Sequence, residues 1–275
     1  MRSRLTAFAL VFLSCRAKSV EHPTAIAGRS YRILSPRSLE AGRTLPVLVV
    51  LHAFDTSAQT QAGYFEVDRV FLAQSFFVLL PEGQVDADGH RFWNATDACC
   101  DQHHSKSDDV GYLDAVLDDA LARYPIDPTR VFFAGVSNGG FMAQRYACDR
   151  AHRVRGFASV SGAIWDDPAK CSPSRSVAAL LIHGDADEVV KYGGGTSLTR
   201  TVARYPSAPA AARFWASRAG ATQSTTTEFD SNTDVQAWTG KGPPVELWTL
   251  RGEGHSLPRS ARLPRRIAEF FSKLR

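Results

Sequence analysis

Six short runs of this chain are apolar almost without interruption, and they alternate with segments of helical periodicity. The runs cover residues 46–51, 76–80, 131–134, 156–160, 178–182 and 245–250. A strand with one wet face alternates apolar and polar residues; one that does not alternate is covered on both faces. Between the runs, residues 108–124 place Val110, Leu113, Val116, Leu117 and Leu121 on one helical stripe, with Ser107 or Asp108 able to cap its start. Further helices are expected over 141–148, 208–218 and 267–274. Doubly buried strands alternating with helices specify an α/β fold, a mostly parallel twisted sheet with helices on both faces. No linker-like break interrupts the alternation, so the 275 residues read as one large domain.

The third run leads into Gly135-Val136-Ser137-Asn138-Gly139-Gly140 and then a helix. G-x-S-x-G acquires chemical meaning only in this strand–turn–helix setting. A tight turn pushes the serine off the sheet, flanking glycines remove β-carbons that would clash, and the new helix points free N–H groups at a developing oxyanion. A serine nucleophile needs a base and an orienting acid, on loops beyond later strand ends. The fifth run ends in His183-Gly184-Asp185-Ala186-Asp187, and the sixth leads to Gly254-His255-Ser256. The order Ser137, Asp, His255 is a hydrolase order. Either Asp185 or Asp187 can be the acid; Asp187 lies further into the loop and is preferred. His183, beside a turn glycine at a strand end, reads as structural. Asp101, His103 and His104 are too weakly patterned to argue for a metal.

These stretches together resemble the secreted esterases grouped with polyhydroxybutyrate depolymerases, feruloyl esterases and carbohydrate esterase family one. The resemblance covers most of residues 45–260. It rests on Leu51-His52, Trp93-Asn94 followed by Cys99-Cys100, Asp108-Asp109-Val110-Gly111-Tyr112, the elbow, the His183–Tyr192 stretch and Gly252-x-Gly254-His255-Ser256. It implies the α/β-hydrolase fold and Ser-His-Asp chemistry on carboxylic esters without cofactor or metal. It also favours Asp187 as the acid. By position, the oxyanion donors are the backbone N–H groups of Asn138 and Phe54. The chain departs from the pattern at Ala53, where the group carries Gly after His52, and the added methyl is expected to restrict that loop. Phe54, Trp93 and Tyr192 are candidates to line the substrate pocket. The substrate remains open among polysaccharide-linked acyl esters, polyhydroxyalkanoate and small soluble esters. A serine peptidase on this fold would use the same triad but is expected to carry an added propeller or lid domain. A non-catalytic binding protein would be expected to have lost a triad member. A haloalkane-type hydrolase would need Asp at position 137.

Composition excludes other classes. With 44% hydrophobic and 22% charged residues the chain is neither disordered nor collagen-like. A formal charge of +4, of which residues 1–14 contribute two Arg and no acid, is too small for a nucleic-acid footprint. The locally basic C-terminus (Arg259, Arg262, Arg265, Arg266, Lys273, Arg275) reads as a solvated helix face with cations near a helix C-terminus.

Residues 1–4 carry two Arg, and the following apolar run to Leu13 is far shorter than the ~20 residues that span a bilayer. Charge followed by a short apolar core reads as an export signal. Cys15 comes directly after it and is expected to be acylated as in a bacterial lipoprotein; the alternative is cleavage after Ala17 without lipid. The expected division is a signal at 1–14, a tether at 15–30 and a catalytic domain at 31–275, with membrane contact only through the lipid. The other four cysteines can pair. Cys148 ends the helix that descends from Ser137, and Cys171 precedes the strand that ends near Asp187. Both therefore sit at the end of the sheet opposite the catalytic loops, which predicts a Cys148–Cys171 bridge. Cys99 and Cys100 are left as a vicinal bridge or as thiols; the alternative joins one of them to Cys148.

Overall fold

The computed structural model describes residues 21–36, 39–196, 202–258 and 262–274. The strands in chain order are β1 (Glu21–Ile26), β2 (Arg29–Leu34), β3 (Leu45–Leu51), β4 (Phe77–Pro81), β5 (Gln84–Val85), β6 (Arg91–Phe92), β7 (Ile126–Val136), β8 (Gly156–Val160), β9 (Ala178–Gly184), β10 (Gly195–Thr196), β11 (Arg204–Tyr205), β12 (Ala221–Asp230), β13 (Thr233–Gly240) and β14 (Val245–Leu250). The helices are α1 (Ala58–Tyr64), α2 (Asp109–Arg123), α3 (Asn138–Asp149), α4 (Ala208–Arg218) and α5 (Leu263–Ser272).

Ten strands form one sheet in the order β1-β2-β4-β3-β7-β8-β9-β14-β13-β12. The middle six, β4 to β14, pair in parallel and coincide with the six apolar runs. Their residues alternate between two cores: Val47, Val49 and Leu51 of β3 join one, Leu48 and Val50 the other. The first core is closed by α2, α3 and α4, the second by α1 and α5, so each central strand is apolar on both faces. Antiparallel hairpins flank this centre, β1–β2 against β4 and β12–β13 against β14. Strand order reverses between β3 and β7. In an open parallel sheet the crevice beyond the strand ends at that reversal is where ligands bind.

Three expectations are corrected here. Residues 21–30 are not a tether: β1 and the start of β2 hydrogen-bond into the sheet. The last helix begins at Leu263, so Arg262 and Arg265 lie at its N-terminal turn rather than near a C-terminus. Arg266 is not solvated but buried, because its position on α5 faces the sheet beside Ile267 and Phe270. Cys15 lies outside the described residues.

Cys148, at the end of α3, is bonded to Cys171, with 5.5 Å between Cα atoms. Both sit at the rim opposite the loops after β7, β9 and β14. Closing this 23-residue separation stabilises the fold by ~3 kcal/mol in the chain-entropy view. Cys99 and Cys100 are bonded to each other.

Candidate active site

The turn from β7 into α3 holds Ser137 at φ +54° and ψ −120°, a conformation that side-chain-bearing residues rarely adopt. It is possible only because α3 packs directly on backbone. A β-carbon on Gly135 would lie 2.2 Å from the Gly139 carbonyl oxygen, and one on Gly139 would lie 2.2 Å from that of Leu51. Ser137 N–H donates to Val160 O at 2.8 Å, fixing the elbow to the neighbouring strand. The half-buried Ser137 side chain is thereby lifted off the sheet.

His255 joins it from the loop after β14. Its Nε2 is 3.0 Å from Ser137 Oγ, and its Nδ1 is 2.8 Å from Asp187 Oδ2. A carboxylate can only accept, so Nδ1 carries the proton and Nε2 is free to accept from the serine. Asp187 is buried, and its other oxygen accepts the N–H groups of Val189 and Val190 at 2.8 and 2.9 Å. Burial alone would raise the Asp187 carboxyl. Hydrogen bonds from His183 and His255, the positive charge His255 carries when protonated and the Val190 N–H outweigh it and hold the group well below the usual carboxylate range.

The two acidic candidates part company here. Asp185 does not reach His255; its Oδ1 accepts the Gly252 N–H at 2.6 Å. With Asp185 N–H on Leu250 O and Ala186 N–H on Glu253 O, it stitches the loop after β9 to the loop that carries His255. Ser161 adds a further brace, its hydroxyl donating to His255 O at 3.1 Å. His183 Nε2 donates to Val190 O at 2.7 Å and lies 3.2 Å from Asp187 Oδ2, so it supports the acid from behind. Sequence reading took His183 as structural but did not find Ser161, whose only signal is its position just past the end of β8.

The loop after β3 is pinned by a buried, neutral histidine. Gly83 N–H donates to His52 Nε2 at 2.9 Å, so Nδ1 bears the proton and donates to Ala53 O at 2.8 Å. Thr56 Oγ1 donates to the same carbonyl at 2.9 Å. The C=O and N–H of one peptide plane point opposite ways, so fixing Ala53 O also fixes the direction of the Phe54 N–H. Neither that N–H nor the Asn138 N–H has an acceptor among the described residues. Ala53 does not take a positive φ, so its methyl is accommodated without backbone strain; the left-handed residue of this loop is Asp55 at φ +53°.

Trp93 is corrected as a pocket residue. It is fully buried, its Nε1 donates to His52 O at 3.0 Å, and its ring packs on His52 and Tyr112. Its backbone is clamped by the Asn138 side chain, which accepts from Trp93 N–H at 2.7 Å and donates to Trp93 O at 2.8 Å. Tyr192 is half-buried; its hydroxyl bonds to Thr249 Oγ1 at 2.8 Å and its ring meets His183 edge-on. Phe54 is half-exposed beside His90. Asp101 closes its own loop by accepting the N–H groups of Ser105 and Lys106, while His103 reaches Asp88 at 2.9 Å.

Comparison with known proteins agrees with this architecture. Residues 92–205 match the family model described as Phospholipase/Carboxylesterase. The chain is 28% identical over 181 residues to the protein named "Putative esterase NocK" of Nocardia uniformis subsp. tsuyamanensis, covering 65% of this chain and 51% of that one. It is 26% identical over 168 residues to "Feruloyl esterase B" of Piromyces equi, covering 59% and 30%. The chain thus spans about half or less of the length of these curated relatives. The acetyl xylan esterase structure from Aspergillus awamori superposes with a TM-score of 0.68 at 14% identity, over 91% of this chain and 99% of that one. The fold is the α/β-hydrolase fold, and the resemblance to feruloyl esterases and related enzymes read from the sequence holds.

Burial, with the Arg91 charge, outweighs the Ala53 hydrogen bond and lowers the His52 pKa from 6.5 to about 4. Between those values the unfolded chain holds a proton that the folded one lacks, so stability falls as pH falls through this window. The expected loss attributable to His52 approaches ~3 kcal/mol by pH 4. Denaturant melts at pH 7, 5.5 and 4 should show a steeper decline for the native protein than for His52→Gln; parallel declines would contradict the assignment.

Proposed function

We propose that this α/β-hydrolase-fold chain is a serine esterase in which Ser137 is the nucleophile, His255 the general base and acid, and Asp187 the orienting acid. The observation that carries the reading is the continuous relay from Ser137 Oγ through His255 to a buried, ionised Asp187. Similarity to proteins named as esterases supports it.

In this mechanism His255 Nε2 takes the Ser137 proton as Oγ bonds to the ester carbonyl carbon. The carbonyl electron pair moves onto oxygen, where the N–H groups of Asn138 and Phe54 receive it. Removing one such donor typically costs ~3–4 kcal/mol of transition-state stabilisation. Collapse of the tetrahedral species breaks the bond to the alcohol, which leaves with the proton from His255. Water then repeats the cycle on the acyl-enzyme: His255 takes its proton, the acid departs and Ser137 is restored. Asp187 stays anionic throughout, balancing the imidazolium formed in each half.

The proposed substrates are esters whose alcohol side is rich in hydroxyls, as in feruloylated or acetylated polysaccharide. Support comes from the similarity to the protein named "Feruloyl esterase B"; an open cavity of about 750 Å³ begins at Asn94, one residue beyond the Trp93 that Asn138 clamps, and no relay residue lines it. Its walls include Thr96, Asp97, Lys106, Arg145 and Trp165, a set suited to hydroxyl groups rather than to a long acyl chain. Methyl ferulate and acetylated xylan should be cleaved faster than hydroxybutyrate oligomers; the reverse order would move the substrate to polyesters.

The proposal extends to export through the N-terminal segment, with Cys15 acylated. Intact mass of the membrane fraction should show a mature chain starting at Cys15 and bearing lipid; an unmodified chain starting after Ala17 would remove the anchor.

Ser137→Ala and His255→Ala should lower ester hydrolysis by roughly 10,000-fold or more with the fold retained, and Asp187→Asn should cost nearly as much. Asp185→Asn removes the charge but keeps an oxygen that can accept the Gly252 N–H, and should cost about tenfold at most. Steady-state kinetics with circular dichroism as the folding control decides this. A larger loss for Asp185→Asn than for Asp187→Asn would overturn the assignment of the acid.

A further inference from the structure

The rim of the sheet opposite Ser137 concentrates positive charge that the relay does not use. Strands β7, β8, β9 and β14 are parallel, so Arg155 before β8, Arg175 before β9 and Lys241 before β14 all lie at that rim. The end of α5 brings Lys273 to the same place, where Leu274 lies against Gly156 at the start of β8. The four cations are exposed and line one cavity of about 510 Å³, whose described wall holds no carboxylate. Arg175 donates to the carbonyls of Ala151 and Val154 at 3.0 and 3.3 Å, which orient its guanidinium and leave the charge unbalanced. Glu269 of α5 and Glu246 of β14 line other cavities. Arg43, Arg123 and Arg153, also toward this rim, are instead paired with Glu40, Asp119 and Asp118.

The chain enters the fold at this same rim. Strands β1 and β4 are both antiparallel to β2 and so run in one direction. The row of paired residues that starts at Glu21 of β1 passes through Val78 of β4 and Phe132 of β7 to Gly156 and Ala178, the first residues of β8 and β9. Residues 15–20 precede this row and lie outside the described residues; their sequence adds Arg16 and Lys18 and no acid. Six residues reach at most about 20 Å. A lipid on Cys15 would therefore hold the basic rim toward a bilayer and the Ser137 rim away from it.

We infer that the rim around Arg155, Arg175, Lys241 and Lys273 is a docking surface for an anionic lipid bilayer, its cavity receiving a headgroup phosphate. The inference goes beyond the esterase reading and takes its setting from the proposed anchor. A single acyl chain binds a membrane only marginally, and a basic patch is a second signal that makes the attachment last. Each Lys or Arg near an anionic surface strengthens binding. The membrane contact then extends beyond the lipid, and the catalytic loops face outward.

The test is sedimentation of the full chain with vesicles of phosphatidylglycerol and phosphatidylcholine in equal parts, against phosphatidylcholine alone. All proteins carry Cys15→Ser, so no acyl chain contributes, and all share residues 1–20, so binding by that segment cancels between variants. The anionic vesicles should bind more tightly, and about 0.5 M sodium chloride should release most of the protein. Lys241→Gln/Lys273→Gln should weaken binding about tenfold or more. Arg262→Gln/Arg265→Gln removes equal charge from exposed positions at the other end of α5 and should weaken it no more than about threefold. Hydrogen exchange on the bound protein should show protection over 154–156, 173–176 and 241–244 and none in the loops carrying Ser137 and His255. Equal binding to both vesicle types, equal losses in the two double variants, or protection at the catalytic loops instead would overturn the surface. Binding to a soluble anionic polymer, polygalacturonate, with none to the vesicles would also overturn it. These readouts need neither ester hydrolysis nor an acylated chain, so their failure is separate from failure of the esterase or anchor readings.

Discussion

The site depends on one close approach: the first turn of α3 lies directly on the end of β3. At Gly139 the two backbones come so near that a β-carbon would overlap the carbonyls of Leu51 and His52. Holding Ser137 at positive φ costs about 1–3 kcal/mol, and the contact between α3 and the sheet is what sustains it. The same contact brings the end of β7 and the loop after β3 together at the reversal of strand order. The Ser137 turn and the Asn138 N–H are thus set by backbone packing, while the Phe54 N–H is aimed by the His52 and Thr56 side chains that hold Ala53 O.

Around this fixed centre the remaining groups are held by mutual bracing. Asn138 clamps Trp93, Trp93 donates to His52 O, and His52 pins Ala53. Asp109 reaches the same segment, accepting the Asn94 N–H at 2.6 Å, while Arg29 pairs with its other oxygen. On the opposite side Asp185, Ser161 and His183 fix the loops that present Asp187 and His255. Fully satisfied buried polar networks of this kind hold one arrangement. The Arg266 guanidinium stands apart because its nitrogens find no hydrogen-bond partner among the described residues.

The sequence exposed the centre of the fold and hid its edges, for a physical reason. Strands covered on both faces are apolar runs that stand out from their surroundings. The outer hairpins do not: β12 is Thr-rich and largely exposed, and β1 carries a proline and a histidine among few apolar residues. Helix α1 is seven residues with three buried positions, too short to show a period. The relay residues were legible because a strand–turn–helix motif and chain order constrain them together. Trp93 was not, because an aromatic residue reads the same whether it lines a pocket or supports one. Arg266 was hidden in a basic stretch whose other described members, Arg262, Arg265 and Lys273, are exposed. One helical position decides whether such a cation meets water or the sheet.

The central claim is that esterase chemistry passes through one serine, activated by the relay. Incubation with a p-nitrophenyl phosphonate ester, followed by intact-mass and peptide mass analysis, reads this directly, because phosphorus forms a stable bond only to an activated nucleophile. The account predicts one adduct per chain, on the peptide containing Ser137, with hydrolysis lost in proportion to labelling. Full hydrolysis by a chain blocked at Ser137, or stoichiometric labelling elsewhere, would contradict it.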